Sequence, residues 1–136
     1  MTEILCFIGV LLFLLGLLTG FVIPALKAPR IGLSAHLAAT QSGVALIAFG
    51  FLWPHLGFWA GWSVPLAHVL WASLYVVWAG ILLGGAWGTG KSLPIAGAGH
   101  TAAKWQERAA FLPIALGSFG TLGVVIAILV QWRWVA

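Results

Sequence analysis

The sequence predicts an all-α integral membrane protein whose four transmembrane helices form an antiparallel bundle. Three observations predict it. The chain is 62% hydrophobic and only 6% charged, against about 25% charge in a soluble domain, and its mean hydropathy is +1.12. Four apolar stretches cover residues 4–26, 34–53, 64–87 and 106–132, each near the roughly 20 residues that cross a hydrocarbon core. Short linkers carrying Pro, Gly and Trp separate them, so consecutive spans reverse direction within one domain over residues 1–136.

The first stretch is too long for a secretory h-region and lacks a basic n-region, so it reads as a span rather than a signal peptide. Gly16 and Gly20 have the small-xxx-small spacing that lets helices approach closely. Pro24, with Lys27 and Pro29 behind it, ends the helix by removing backbone donors and biasing preceding residues toward extended conformations. The single cysteine, Cys6, excludes an internal disulfide and a thiolate cluster. It reads as an apolar filler.

The second helix is expected to begin at Ser34, whose hydroxyl can cap it, and to close before Pro54. The linker to Trp62 has no charged residue and is flanked by Trp53, Trp59 and Trp62, which suits a segment lying flat at headgroup level. His55 falls there as a polar contact. On the third helix Trp71, Tyr75 and Trp78 share one side. A phenol in lipid needs a partner, so Tyr75 is expected to point inward. His68 lies toward the end of this helix away from His36.

The trio Gly90-Lys91-Ser92 does not make a phosphate loop. The first glycine of G-x-x-x-x-G-K-[ST] would be Gly85, which lies in an apolar helix rather than after a strand. The fourth helix is expected to kink at Pro113 and to pack along Gly117, Gly120 and Gly123.

Lys27, Arg30, Lys91, Lys104 and Arg108 fall on the first and third loops or their borders, and only Arg133 on the other side. This asymmetry predicts cytoplasmic loops one and three, with both termini on the outer side of a bacterial inner membrane. The net charge of +4 is small and tied to loops, so no nucleic-acid partner is expected.

Several chemistries are disfavoured. No Asp, Glu, Lys or Arg lies deep in a span, as ion-coupled transport would require. The two carboxylates, Glu3 and Glu107, are placed on opposite sides of the membrane, which rules against paired acid–base catalysis. His36 and His100 share a side, but a zinc site would lack a third ligand unless Glu107 supplied it.

His36 is the remaining candidate. At about 100° per residue it shares a face with Ala39, Thr40, Gly43, Ile47 and Gly50. An imidazole above a smooth face of small residues suits a flat metal-bearing macrocycle. From the residues alone, His36 reads either as a hydrogen-bonded packing histidine or as an axial ligand to haem iron.

The stretch Pro29-Arg30 … Leu33-Ser34-Ala35-His36-Leu37 with Gly43 resembles bacterial hydroxylaminobenzene mutases. A second stretch is similar to another signature of theirs: Gly88-Thr89-Gly90 … Leu93-Pro94-Ile95-Ala96-Gly97 … Gly99-His100, followed by Gln106-Glu107. The Ala35-His36 … Gly43 spacing also resembles the styrene oxide isomerases. The resemblance implies haem b (iron) held by His36 with Ala39, Thr40 and Gly43 beneath it, and a homotrimer with haem near the subunit boundary. It implies a redox-neutral isomerisation of a small aromatic substrate, hydroxylaminobenzene to an aminophenol or an aryl epoxide to an aldehyde. The iron would act as a Lewis acid on the substrate oxygen.

Two departures stand out. Ser42 takes the place of an asparagine that contacts substrate in the epoxide isomerases, and Val77 that of a second asparagine. The Ser42 hydroxyl can still donate a hydrogen bond, and Tyr75 is the candidate to replace the other donor. The rival expectations are a non-catalytic membrane protein that binds haem or another small ligand, and a purely structural bundle without a cofactor.

Overall fold

The computed structural model describes residues 1–133, and its regular structure is entirely helical. Residues 134–136 of the predicted domain lie outside the described residues. Four long helices follow one another: α1 (Thr2–Val22), α2 (Pro29–Leu52), α3 (Ser63–Trp87) and α4 (Lys104–Val130). Each is long and apolar enough to cross a membrane. Short 3₁₀ turns at Ile23–Ala25 and Trp53–His55 follow α1 and α2, each containing one of the prolines expected to stop the helix.

One boundary differs from expectation. Helix α2 begins at Pro29, not at Ser34. Proline suits the first turn because its missing N–H has no intrahelical partner there and its φ is preset. Ser34 therefore sits inside the helix, where its hydroxyl donates back to the Arg30 carbonyl at 3.2 Å.

Two tightly packed pairs make up the bundle, α1 with α2 and α3 with α4, joined mainly through α2 and α3. Along the first pair, Cys6 lies by Gly50, Gly9 by Gly43 and Ile47, and Gly16 by Ala39 and Thr40. Positions rising along α1 thus meet positions falling along α2. The seam leaves no room for larger residues. A Cβ on Gly43 would lie 2.6 Å from the Phe13 backbone nitrogen, and one on Gly16 2.8 Å from that of Thr40.

The second pair meets through Gly80 against Ala110 and Ile114, and Gly117 against Ser73 and Val77. Gly120 also abuts Ser73, but a Cβ on Gly123 would touch nothing within 4 Å. The expected glycine edge therefore stops at Gly120. Gly123 opens instead onto a hollow lined by Trp59, Trp62 and Ile126. Helix α4 stays continuous through Pro113.

The first and third loops lie together. The Ala28 N–H donates to the Gly85 carbonyl at 3.0 Å, and Lys27 Nζ to the Thr101 carbonyl at 3.1 Å. One end of the bundle thus gathers the loops bordered by Lys27, Arg30, Lys91, Lys104 and Arg108. At the other end, the Trp53 indole donates to Ser63 Oγ at 2.9 Å and the Gly57 N–H to the Arg133 carbonyl. Large apolar side chains cover the outside, among them Phe7, Phe21, Leu116 and Phe119. Facing hydrocarbon, such a surface costs nothing.

Candidate functional site

His36 stands two turns into α2 and leans on α1. Its Nδ1 lies 2.7 Å from the Gly16 carbonyl oxygen. That oxygen can only accept, so Nδ1 carries the proton. In the neutral form of the ring the lone pair is then at Nε2, the arrangement metal-ligating histidines adopt when a backbone carbonyl fixes their tautomer. Gly20 makes the approach possible. A Cβ there would lie 3.0 Å from Nδ1 and 3.3 Å from Cε1. The Gly16-to-Gly20 spacing serves two purposes, close helix approach at Gly16 and a seat for the imidazole at Gly20.

The small-residue face below His36 is already filled. Ala39 is fully buried, and Gly43 is buried against the Phe13 and Gly9 backbones. Both sit beneath α1 within the chain, so they present no bare face to a macrocycle. In the folded chain this stretch of the face is taken up by α1. The physical reason is that small residues let two apolar helices approach until their backbones touch.

Thr40 sits at the margin of the seam. Its hydroxyl bonds the His36 and Leu37 carbonyls at 3.0 and 3.1 Å, while its side chain borders an open hollow of about 400 Å³ lined also by Phe13, Gln41 and Val44. This hollow lies one turn along α2 from His36.

Sequence reading missed Gln41. It lies at the middle of an apolar span, is exposed on the bundle's outside and has no hydrogen-bond partner among the described residues. Its only warning in the sequence was a carboxamide amid an apolar run. In hydrocarbon such a group calls for a ligand or a partner helix.

Ser42 is half-buried and likewise makes no hydrogen bond among the described residues. Six residues beyond His36, it falls on a different face of α2. Tyr75 points inward as expected, donating its hydroxyl to the Ile8 carbonyl at 2.8 Å, with Trp71 and Trp78 edge-on to its ring. Ile8 lies eight residues, or about 12 Å of helix, from Gly16. The structure does not bring the phenol to His36.

Trp78 comes closer. Its indole donates to Thr19 Oγ1 at 3.2 Å, and Thr19 donates to the Leu15 carbonyl at 2.7 Å, on the turn that carries Gly16. Val77 packs against Gly117 of α4, since a Cβ on Gly117 would lie 2.6 Å from Val77 Cγ2. Its position therefore belongs to the α3–α4 seam.

The other histidines have separate roles. His68 Nδ1 bonds the Val64 carbonyl at 2.8 Å on α3, and His55 lies in the 3₁₀ turn at the opposite end of the bundle from His36. His100 lies in the third loop with Nδ1 buried and unpartnered. No group of three His, Cys, Asp or Glu side chains that could hold a metal ion occurs among the described residues.

These features define a small four-helix membrane protein with one imidazole seated against a backbone carbonyl at the edge of its first helix pair. The profile of the styrene oxide isomerase family matches residues 1–133. The chain is 39% identical to hydroxylaminobenzene mutase HabB of Ectopseudomonas oleovorans over 126 residues, covering 92% of this chain and 76% of that one. It is 40% identical to hydroxylaminobenzene mutase HabA of the same organism over 101 residues, covering 74% and 75%. The chain belongs to the styrene oxide isomerase family.

Proposed function

We propose that the protein is a haem-dependent membrane isomerase acting on small aromatic substrates, with an arylhydroxylamine as the preferred class. The mutase relatives support the reaction class. The observation that carries the cofactor reading is the 2.7 Å contact between His36 Nδ1 and the Gly16 carbonyl, which leaves Nε2 as the free ligand atom. Bound through His36, haem b would supply a Lewis-acidic iron for the substrate oxygen.

The remaining work falls to the chain. Gly16 holds the imidazole in one tautomer, and Gly20 keeps space for it. Phe13 and Val44 give the neighbouring hollow an apolar wall that favours an aromatic ring over water. Gln41, which lines that hollow and has no hydrogen-bond partner among the described residues, offers a donor to the oxygen being transferred, whereas Ser42 is not among the residues that line it. In the mutase reaction the N–O bond breaks and a C–O bond forms on the ring, while that ring carbon gives up its proton and the nitrogen gains one. The product is an isomer of the substrate, so no external reductant or oxidant enters.

The reading includes a homotrimer in a bacterial inner membrane, with the cation-rich loops inside and the termini outside. Support comes from the charge asymmetry and from Gln41, exposed at mid-span where a neighbouring subunit can meet it. A non-catalytic haem-binding role is the second reading, favoured by the engagement of Tyr75 with Ile8.

The test is the visible spectrum of the detergent-purified protein beside His36→Ala, followed by turnover of hydroxylaminobenzene and styrene oxide. A Soret band lost in the variant, with 2-aminophenol formed by the wild type, is the expected result. A Soret band without turnover of either compound selects the non-catalytic reading. A colourless protein from haem-replete cells overturns both.

A further inference from the structure

At the cation-rich end, Glu107 lies in the first turn of α4 and is only 8% exposed. Its carboxylate accepts the Lys91 N–H at 3.2 Å, the Ser92 N–H at 2.8 Å and the Ser92 hydroxyl, while Ser92 Oγ also lies 2.8 Å from the Glu107 carbonyl. The negative charge is thus satisfied by the third loop's own donors. The neighbouring cations are not fully taken up. The Lys91 charge acts on Glu107 from a distance, but neither the Lys91 ammonium nor the Arg108 guanidinium makes a salt bridge or hydrogen bond among the described residues, and both residues are exposed.

Lys91, Ser92, Glu107 and Arg108 border a hollow of about 250 Å³ whose fifth wall is Phe111. Phe111 lies one turn below Arg108 and is 51% exposed. Beyond it the outer face of α4 continues through Leu112, Leu116 and Phe119, all exposed and apolar. Two exposed cations without a salt bridge therefore stand at the head of a hydrocarbon-facing track. Trp87 and Trp105 stack edge-on nearby, 5.2 Å between centroids, as interfacial indoles do.

The geometry points to a binding site for the phosphate of an anionic glycerophospholipid, held between Lys91 and Arg108 with an acyl chain along Phe111 and Leu112. A free phosphate would satisfy the cations but leave the apolar wall unused. A zwitterionic lipid would bring its own cation against the two basic side chains. Basic pockets beside spanning helices take anionic headgroups for these reasons.

The test is thermal unfolding of the detergent-solubilised full chain with added phosphatidylglycerol, phosphatidylcholine or inorganic phosphate. Phosphatidylglycerol raises Tm in the wild type and in Arg133→Ala, which removes a cation at the other end. The Lys91→Ala/Arg108→Ala variant loses the response, its apparent affinity falling about 30-fold, as expected for removing two basic residues worth about fivefold each. The charge-preserving variant Lys91→Arg/Arg108→Lys retains it. Equal stabilisation by phosphatidylcholine, an undiminished response in the alanine variant, or equal stabilisation by inorganic phosphate alone would each overturn the proposal.

Discussion

His36 Nδ1 lies 2.7 Å from the carbonyl oxygen of Gly16, joining the second helix to the first through a single bond at the imidazole. The bond decides which nitrogen is available for chemistry, and it depends on the absence of a side chain at Gly20. Gly20→Ala would place a methyl 3.0 Å from Nδ1 and push the ring off the carbonyl. Disturbing such supporting contacts lowers metal-centre affinity about 10-fold or more. On the proposed haem reading, the measurement is haem retained per chain, read from the Soret absorbance of purified protein, with His36→Ala as the depleted reference.

The α1–α2 seam makes a second prediction, about stability. Gly43→Ala forces a methyl to within 2.6 Å of the Phe13 nitrogen and 2.7 Å of the Gly9 carbonyl oxygen, neither of which can yield without moving a helix. Overpacking of this kind costs about 1–3 kcal/mol. Gly123→Ala, which meets nothing within 4 Å, gains about 0.8–1 kcal/mol of helix propensity. Thermal unfolding in one detergent should move the two variants in opposite directions.

How much of this was legible in the sequence differs from residue to residue. The four spans followed from length and hydropathy, because a bilayer sets both. The inward turn of Tyr75 followed from the need to satisfy a phenol in hydrocarbon. The start of α2 was misplaced because Ser34 looked like a cap, while Pro29 is equally suited to a first turn. The face of His36 was identified by period, but period alone does not say what covers it. Ala39 and Gly43 suit a macrocycle and a neighbouring helix equally well, and α1 is what meets them. Gln41 escaped notice because one carboxamide barely alters the hydropathy of its window.

Tyr75→Phe separates a structural phenol from a chemical one. Removing the bond to the Ile8 carbonyl costs about 0.5–1.5 kcal/mol. The expected result is a lower Tm with kcat within a few-fold of wild type. A fall in kcat of a hundredfold or more at unchanged Tm would instead place the hydroxyl at the substrate.

Glu107 should govern the order of the third loop. Glu107→Gln keeps the shape but has one acceptor oxygen in place of two, so it weakens one of the charge-assisted bonds to Lys91 and Ser92 and sets an NH2 against the other donor. The loss is about 1.5–3 kcal/mol. Limited trypsin digestion of the detergent-solubilised protein should cleave at Lys91 at least tenfold faster in the variant, while cleavage at Lys27 changes less.

The imidazole, its carbonyl partner, its glycine seat and the adjoining hollow all come from α1 and α2. The second helix pair contributes Trp78, which reaches the site only through Thr19. On the proposed reading, exposed positions of α3 and α4 can change without altering either the carbonyl that orients the imidazole or the glycine that seats it.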